Sequence, residues 1–263
     1  MARGFGVAAA LPPALITTVA AAAEAHGYDS FWVNDTPGAD SLERLAAAAA
    51  ATRAIRLGTG VIPLDRRPAE EIIARVRALA LPADRLILGV GAGGMAGGLA
   101  RVRAALPALR AALRLPVVAG ALGPQMCRLA GEAADGLLLN WLTPDYARVS
   151  AGWAVEAAAA AGRPTPLRLA YARVALPAGA GRAQAEADRY AAIPAYAAHF
   201  ARMGVPARAT VLVGEPPALQ AGLATFEAAL DEVVARAITP ADSEAELMAL
   251  LAAVAPAARH PRP

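Results

Sequence analysis

Short apolar runs alternate with longer segments of helical periodicity along nearly the whole chain. The apolar runs are rich in Val, Ile and Leu, as strands of a parallel sheet buried on both faces must be. Strands are predicted at 5–11, 28–34, 55–64, 86–90, 117–119, 136–140, 167–176 and 232–238. Helices are predicted at 16–26, 42–52, 68–79, 99–113, 144–161, 218–229 and 244–255. A further helix is predicted to begin at residue 124, and several helical segments are predicted within 183–203.

This order of elements predicts an α/β fold with one domain. About eight strand–helix units in roughly 250 residues match the count and length of a closed (β/α)8 TIM barrel. An open, doubly wound sheet is the alternative. We expect the barrel domain to span residues 1–256 and a flexible tail to follow at 257–263. Thr143-Pro144 and Thr239-Pro240 each resemble a helix cap followed by a first-turn proline.

The composition excludes several classes of protein. The hydrophobic fraction of the 263 residues is 57%, but alanine inflates it, and the formal net charge is only +3. All 25 basic residues are arginine, and they form no polybasic tail, so neither nucleic acid nor an anionic membrane is an expected partner. One cysteine, Cys127, cannot build a disulfide framework, and three histidines far apart in sequence form no metal-ligand pattern.

The uncharged amino-terminal segment resembles a signal peptide or a membrane span by its length alone. Residues 4–23 carry no charge, but Pro12-Pro13 interrupts them and alanine is their commonest residue. The segment then continues into Glu24 and a predicted strand. We therefore expect a cytoplasmic protein.

A glycine loop between a strand and a helix predicts an anion-binding site. The apolar strand that includes Ala119 leads into Gly120, Ala121, Leu122 and Gly123, and Pro124 stands where a helix begins. The free N–H groups of a first helical turn attract phosphate or carboxylate. We expect these residues to hold the anionic part of a ligand.

A second glycine-rich loop follows the fourth predicted strand. Gly89, Gly91 and Gly94 match the dinucleotide fingerprint G-x-G-x-x-G, which expects an acid about 20 residues further on to bind the ribose. No acid lies between Asp84 and Glu132, so a Rossmann dinucleotide site is excluded. The loop at Gly91, Ala92 and Gly93 remains a candidate for binding an anion.

In a barrel, functional residues gather at the carboxyl ends of the strands. The candidates there are Asn34, Asp35, Thr59, Gly60, Val61, Asn140, Trp141, Arg173 and Arg236. Asp35 could transfer a proton or could be a turn residue before Pro37. Gly58-Thr59-Gly60 within an apolar strand indicates a bulge or a close approach by a ligand. No Ser/His/Asp set and no pair of glutamates can be assembled, so we expect the chemistry to belong to a cofactor.

Several segments taken together resemble the bacterial luciferase-like superfamily of flavin- and deazaflavin-dependent oxidoreductases. They are Ala-His-Gly-Tyr-Asp-Ser-Phe-Trp-Val-Asn-Asp at 25–35, Ile-Arg-Leu-Gly-Thr-Gly-Val at 55–61, Asp-Arg-Leu-Ile-Leu-Gly-Val-Gly at 84–91, Gly-Ala-Leu-Gly-Pro-Gln-Met at 120–126, Glu-Ala-Ala-Asp-Gly at 132–136 and Asp-Glu-Val-Val at 231–234. These segments span most of the chain in the order that the family has.

The resemblance implies a barrel that binds FMN or coenzyme F-420 at its carboxyl-terminal mouth. In deazaflavin members a bulge with a non-prolyl cis peptide in the third strand supports the ring, and Gly60-Val61 matches that position. The two glycine loops would hold the phosphate. Asp35 would then be the candidate for proton transfer, and Asn34, Asn140 and Trp141 would line the substrate side. A homodimer is expected by family analogy.

Two departures from the family pattern affect these expectations. Many members have Arg-His-Pro after the third strand, whereas this chain has Arg66-Arg67-Pro68, so a familiar active-site histidine is missing. The chain also passes almost directly from Leu113 to the strand at Val117, where larger members have an insertion. The leading hypothesis is a hydride-transferring oxidoreductase acting on a small organic substrate. An FMN-dependent monooxygenase and a non-catalytic cofactor-binding protein are the alternatives.

Overall fold

A computed structural model describes residues 2–257, so most of the predicted tail, 258–263, lies outside the described residues. Ten parallel strands form one sheet. They are β1 (Ala2–Ala8), β2 (Ser30–Asn34), β3 (Arg56–Thr59), β4 (Ile62–Pro63), β5 (Leu86–Gly91), β6 (Val117–Ala121), β7 (Gly136–Leu139), β8 (Leu167–Ala175), β9 (Val211–Val213) and β10 (Glu232–Ala237).

The sheet closes on itself. β1 pairs with β2 and β10, and β10 also pairs with β8, which returns through β7, β6 and β5 to β3. Eight strand positions therefore surround one axis, and the predicted (β/α)8 barrel is confirmed. β4 continues the path of β3 along β5, and the short β9 pairs with the end of β8 beyond β7.

Within residues 2–257, ten α-helices surround the barrel. They are α1 (Pro13–Ala25), α2 (Ser41–Ala51), α3 (Ala69–Ala78), α4 (Gly98–Leu113), α5 (Pro124–Ala133), α6 (Pro144–Ala160), α7 (Ala180–Ala191), α8 (Pro194–Met203), α9 (Pro216–Glu227) and α10 (Glu244–Ala253). The main core lies between these helices and the outer faces of the strands. No helix within residues 2–257 is long and apolar enough to cross a bilayer.

Side-chain caps determine where several helices begin. Thr143 accepts a hydrogen bond from the Tyr146 N–H, which confirms the predicted start of α6. The last helix begins at Glu244, as the predicted span 244–255 does, but Thr239-Pro240 is not its cap. Ser243 is the N-cap of α10 and forms a capping box with Glu246, because that pair satisfies two free N–H groups reciprocally.

The first strand lies three residues earlier than predicted. β1 ends at Ala8, and its pairs with β2 run from Gly4 to Ala8. Gly4 and Gly6 point into the barrel, where an added Cβ would come within 2.3 Å of Ser30 and 3.1 Å of Val234, respectively. Glycine at the inward positions hides the alternation of apolar residues that normally reveals a strand.

The barrel interior is apolar at mid-height and charged near its amino-terminal end. Its apolar cluster consists of Trp32, Ile87, Val118, Leu138, Leu169, Tyr171 and Val234. Below this cluster, the buried carboxylate of Glu232 accepts hydrogen bonds from Ser30, from Trp32 Nε1 (3.2 Å) and from Arg56 (2.6 Å). These contacts join β2, β3 and β10 and close one end of the barrel.

Candidate active site at the barrel mouth

A bulge between β3 and β4 shapes one side of the mouth. From Gly58 to Ile62 the chain advances four residues, while its partner β5 advances three from Ile87 to Val90. One residue is therefore extra, as in a β-bulge. Thr59 spans the gap: its hydroxyl donates to the Gly89 carbonyl (2.9 Å) and accepts from the Gly89 N–H (2.8 Å).

The peptide bond between Gly60 and Val61 at this bulge is cis, as the family resemblance implies. The half-buried Val61 side chain lies against the backbones of two neighbouring strands. A Cβ added at Gly91 or Gly120 would come within 2.6 Å and 3.1 Å of Val61, and one added at Gly60 would come within 1.9 Å of the Tyr171 hydroxyl. Close packing around Val61 and Tyr171 thus explains these three glycines.

A chain of hydrogen bonds connects the bulge to Arg236 on β10. Asn34 Nδ2 donates to the Gly60 carbonyl at 2.8 Å, and Arg236 Nε donates to Asn34 Oδ1, also at 2.8 Å. Arg236 reaches β2 across β1, the strand that pairs with both β10 and β2. Asn34 therefore connects the last strand of the barrel to the third.

The opposite side of the mouth is formed by β7, β8 and α7. Arg173, which is 2% exposed, donates from Nε to Glu186 Oε1 (2.9 Å) and also binds Asn140 Oδ1. Its guanidinium lies 3.6 Å above the centre of the Trp141 ring, within the range of a cation–π contact. Tyr190 covers the same tryptophan, with ring centroids 4.6 Å apart.

Burial and charge act in opposite directions on the ionisable groups of this side. Burial alone would raise the pKa of Glu186, but Arg173 and Arg236 lower that pKa below its usual value. Burial lowers the pKa of the Arg236 guanidinium, and the nearby Glu186 opposes that shift. Burial raises the pKa of Tyr196, whose hydroxyl interacts with Asn140, to about 12. Glu186 is therefore ionised and Tyr196 neutral near pH 7.

Asp35 lies outside this arrangement. It follows the inward-pointing Asn34, so its side chain faces away from the barrel axis. Asp35 Oδ1 accepts from the Ser41 N–H at 3.1 Å, and its Oδ2 pairs with Arg66 at 3.0 Å; the side chain is 4% exposed. Asp35 would have to break both contacts to exchange a proton with a ligand in the mouth.

The two glycine loops differ in their availability. In the loop at Gly91–Gly94, the Asp65 carboxylate lies against Gly93 and accepts the N–H groups of Gly94 (2.8 Å) and Met95 (3.2 Å). A carboxylate of the chain itself thus occupies the anion-binding position there.

The first-turn donors of α5, which follow the loop at Gly120–Gly123, have no hydrogen-bond partner among residues 2–257. The first backbone bond of α5 runs from the Cys127 N–H to the Gly123 carbonyl, and α5 has no side-chain cap. The N–H groups of Gln125 and Met126 remain available. Arg202 approaches from α8, with Nη2 3.0 Å from where a Cβ on Gly123 would lie.

His199 and Trp141 extend the region around the start of α5. His199 is fully buried; its Nε2 lies 2.8 Å from the Trp141 carbonyl, and its Nδ1 has no hydrogen-bond partner among the described residues. Trp141 is 1% exposed because α7 and α8 cover its ring, so its indole does not reach the open mouth. Asn140 lies beside it, bound to Arg173.

The structure thus brings together most of the predicted residues at one end of the barrel. Asn34, Gly60, Val61, Gly120 and Asn140 meet at the mouth, whereas Asp35 lies behind it. Sequence reasoning missed Glu186, His199 and Arg202, which come from α7 and α8. Nothing local marks these three residues, because they reach the site only through tertiary packing.

Comparison with known proteins finds relatives of this chain by sequence and by fold. The sequence model of the luciferase-like monooxygenase family matches residues 3–111. A 5,10-methylenetetrahydromethanopterin reductase from Methanolobus tindarius is 28% identical over 188 residues, which is 58% of this chain and 58% of that relative. The predicted resemblance to the bacterial luciferase-like superfamily is therefore confirmed.

Solved structures share the fold over almost the entire chain. The coenzyme F-420-dependent tetrahydromethanopterin reductase from Methanopyrus kandleri superposes with a TM-score of 0.74 at 17% identity, covering 97% of both chains. The oxygenating constituent of 3,6-diketocamphane monooxygenase from Pseudomonas putida, a type II Baeyer–Villiger monooxygenase in complex with FMN, gives 0.73 at 16% identity and 100% coverage of both. At these identities, the likeness establishes the fold.

Proposed function

We propose that the chain is an oxidoreductase that binds coenzyme F-420 or FMN at the barrel mouth and transfers a hydride to or from a small organic substrate. One observation carries the proposal: a single strand, β6, leads to both parts of a cofactor site. Gly120 contacts Val61 at the bulge, and Gly123, three residues later, begins α5 beside Arg202. Three residues can span at most about 10 Å, and the chain bends at Leu122 and Gly123, so the two positions are close enough for the ribityl chain between ring and phosphate to join them.

The residues present fit such a cofactor. The unpaired N–H groups of α5 and the Arg202 guanidinium together form an anion site, since helix amino termini attract negative charge. Val61 supplies an apolar surface next to it for the ring. The bound ring would supply the hydride acceptor or donor. Phosphate would bind at the start of α5, because Asp65 already occupies the loop at Gly91–Gly94.

The chain's own side chains would position the ring and the substrate. Asn34 and Arg236 fix the Gly60 carbonyl beneath the bulge, so the surface around Val61 keeps one shape. Arg173 and Glu186 hold Asn140 in place opposite it. Relatives with either cofactor share the fold, which supports the cofactor class and leaves F-420 and FMN as the two candidates.

Titration of the pure protein with F-420, FMN and riboflavin tests the proposal. We expect one of the two phosphate-bearing cofactors to bind more tightly than its phosphate-free counterpart. Arg202→Gln should weaken that binding about tenfold, because one charge-assisted hydrogen bond is lost. Arg148→Gln, which removes an exposed arginine from α6, is the matched control and should leave the affinity unchanged. If neither cofactor binds the unaltered protein, the proposal is wrong.

Two alternatives make different predictions for the same preparation. An FMN-dependent monooxygenase would consume oxygen in the presence of reduced FMN. A non-catalytic cofactor-binding protein would bind the cofactor without turnover of any aldehyde, alcohol or imine. The replacement of the family's histidine by Arg67 is the observation that favours this second alternative.

A further inference from the structure

We infer that Arg236 binds a carboxylate group of the substrate at the barrel mouth, so that the substrate is an organic anion. The inference deepens the proposed function and rests on it. Arg236 is the last inward-facing charged residue of β10, two residues above Val234 of the apolar interior. Its position places a positive charge between the bulge and the opposite side of the mouth.

The guanidinium of Arg236 has unused donors. Its Nε binds Asn34 Oδ1 and its Nη1 binds the Ala237 carbonyl, while Nη2 has no hydrogen-bond partner among residues 2–257. Arg236 forms no ion pair with any residue in that range. A half-buried guanidinium without a counterion is costly unless something else neutralises it.

The charges around Arg236 do not balance. Arg173 and Arg236 lie close enough to influence one another, and Glu186 is the carboxylate that acts on both. Glu186 is committed to Arg173, to which it is bonded at 2.9 Å. Arg173, Arg236 and Glu186 together therefore carry a net charge of one positive unit. A bound carboxylate would neutralise that charge.

A carboxylate also suits the shape of this site. Guanidinium and carboxylate form parallel hydrogen bonds in a planar arrangement, which fixes the orientation as well as the position of the ligand. Asn34 holds Arg236 through Nε, so the free Nη2 keeps a defined direction. In the proposed function, the cofactor's phosphate binds at the start of α5 beside Arg202. Because the phosphate is bound elsewhere, the carboxylate that pairs with Arg236 would belong to the substrate.

Binding of benzoate and of uncharged benzyl alcohol to the cofactor-free protein tests the inference, in a buffer without phosphate or carboxylate. NMR titration should show that benzoate binds and that benzyl alcohol binds at least about tenfold more weakly, as expected for a charge-assisted pair. Arg236→Gln should abolish this preference, and Arg236→Lys should retain part of it. The exposed control Arg148→Gln should bind benzoate normally.

Two further variants separate this site from the phosphate site. Arg202→Gln should leave benzoate affinity unchanged, and Glu186→Gln should increase it several-fold, because removing a negative charge that acts on Arg236 raises the local potential. The inference is overturned if benzoate binds no better than benzyl alcohol, or if Arg202→Gln, but neither substitution of Arg236, removes the preference. Failure of cofactor binding with a normal benzoate preference would count against the proposed function alone.

Discussion

The carboxylate of Asp65 accepts the backbone N–H of Gly94 at 2.8 Å, and the two residues thereby join the loop after β4 to the loop after β5. The same oxygen accepts the Met95 N–H at 3.2 Å. The sequence alone predicts a phosphate cradle at this loop. In the structure, the cradle is a crosslink between two loops of the mouth.

Asp65→Ala should therefore loosen the loop without unfolding the barrel. We expect faster amide hydrogen exchange at Gly94 and Met95 and a loss of about 1 kcal/mol in the free energy of unfolding, since two partly exposed hydrogen bonds disappear. Asp65→Asn should have a smaller effect, because its amide oxygen can still accept. Asp145→Ala, at a 93%-exposed carboxylate of α6, is the control. Unchanged exchange at Gly94 in Asp65→Ala would contradict this account.

Gly91 and Val61 should behave as a coupled pair. Gly91→Ala places a methyl group 2.6 Å from Val61 and should destabilise the protein by about 1–3 kcal/mol, as overpacking does. Val61→Ala in the same chain should restore part of that loss, so a urea-unfolding double-mutant cycle should give a favourable coupling energy. Gly94→Ala meets no atom within 4 Å and is the matched control. Strict additivity would rule out the contact.

Substitution of Thr59 tests how much its hydroxyl stabilises the bulge. Thr59→Val keeps the shape of the side chain but leaves the buried N–H and carbonyl of Gly89 without the hydroxyl that now bonds both. The free energy of unfolding should fall by about 2–3 kcal/mol in urea titrations, which is the cost of unsatisfied buried groups. Thr59→Ser retains the hydroxyl and should lose much less. Equal losses in both variants would assign the effect to packing.

His199 should make stability depend on pH. Burial lowers the pKa of its imidazole in the folded protein, so the unfolded chain takes up the proton first as pH falls. The free energy of unfolding should thus decrease as pH drops from about 7 through about 6, the range in which an ordinary histidine titrates. His199→Gln should flatten this decrease in urea titrations across the same range. The exposed His26, changed to Gln, should leave the slope intact.

Much of the barrel could be predicted from the sequence because its strands are apolar on both faces. The run at Val117–Ala119 and the cap at Thr143 are local signals, and the structure places both as expected. The predicted position of strand β1 differs from the observed one because its inward-facing residues are glycines. A larger side chain at Gly4 or Gly6 would contact interior side chains, and glycine gives no hydropathy signal. The predicted strand at 55–64 is split by the bulge, which only its Thr59 and glycines indicate.

The sequence predicts only those residues of the candidate site that lie at the carboxyl ends of strands. Asn34, Asn140 and Arg236 follow from the rule that barrel strands present their carboxyl ends to one mouth. The sequence does not predict that Asp65 occupies the N–H donors of one glycine loop while Arg202 lies beside the other loop. This difference depends on Asp65, which lies nearly thirty residues from its partners in sequence, and on Arg202 reaching α5 from α8. Such contacts leave no spacing to recognise.

The hydrogen bonds of Asn34 have a consequence for how the site assembles. A guanidinium can only donate, so Arg236 requires the oxygen of the Asn34 amide and thereby turns its NH2 group toward Gly60. The orientation of a side chain on the second strand is thus set by a residue more than two hundred positions later. A nascent chain or a truncated fragment that ends before Arg236 would contain the whole bulge and still lack the contact that turns the Asn34 amide toward it.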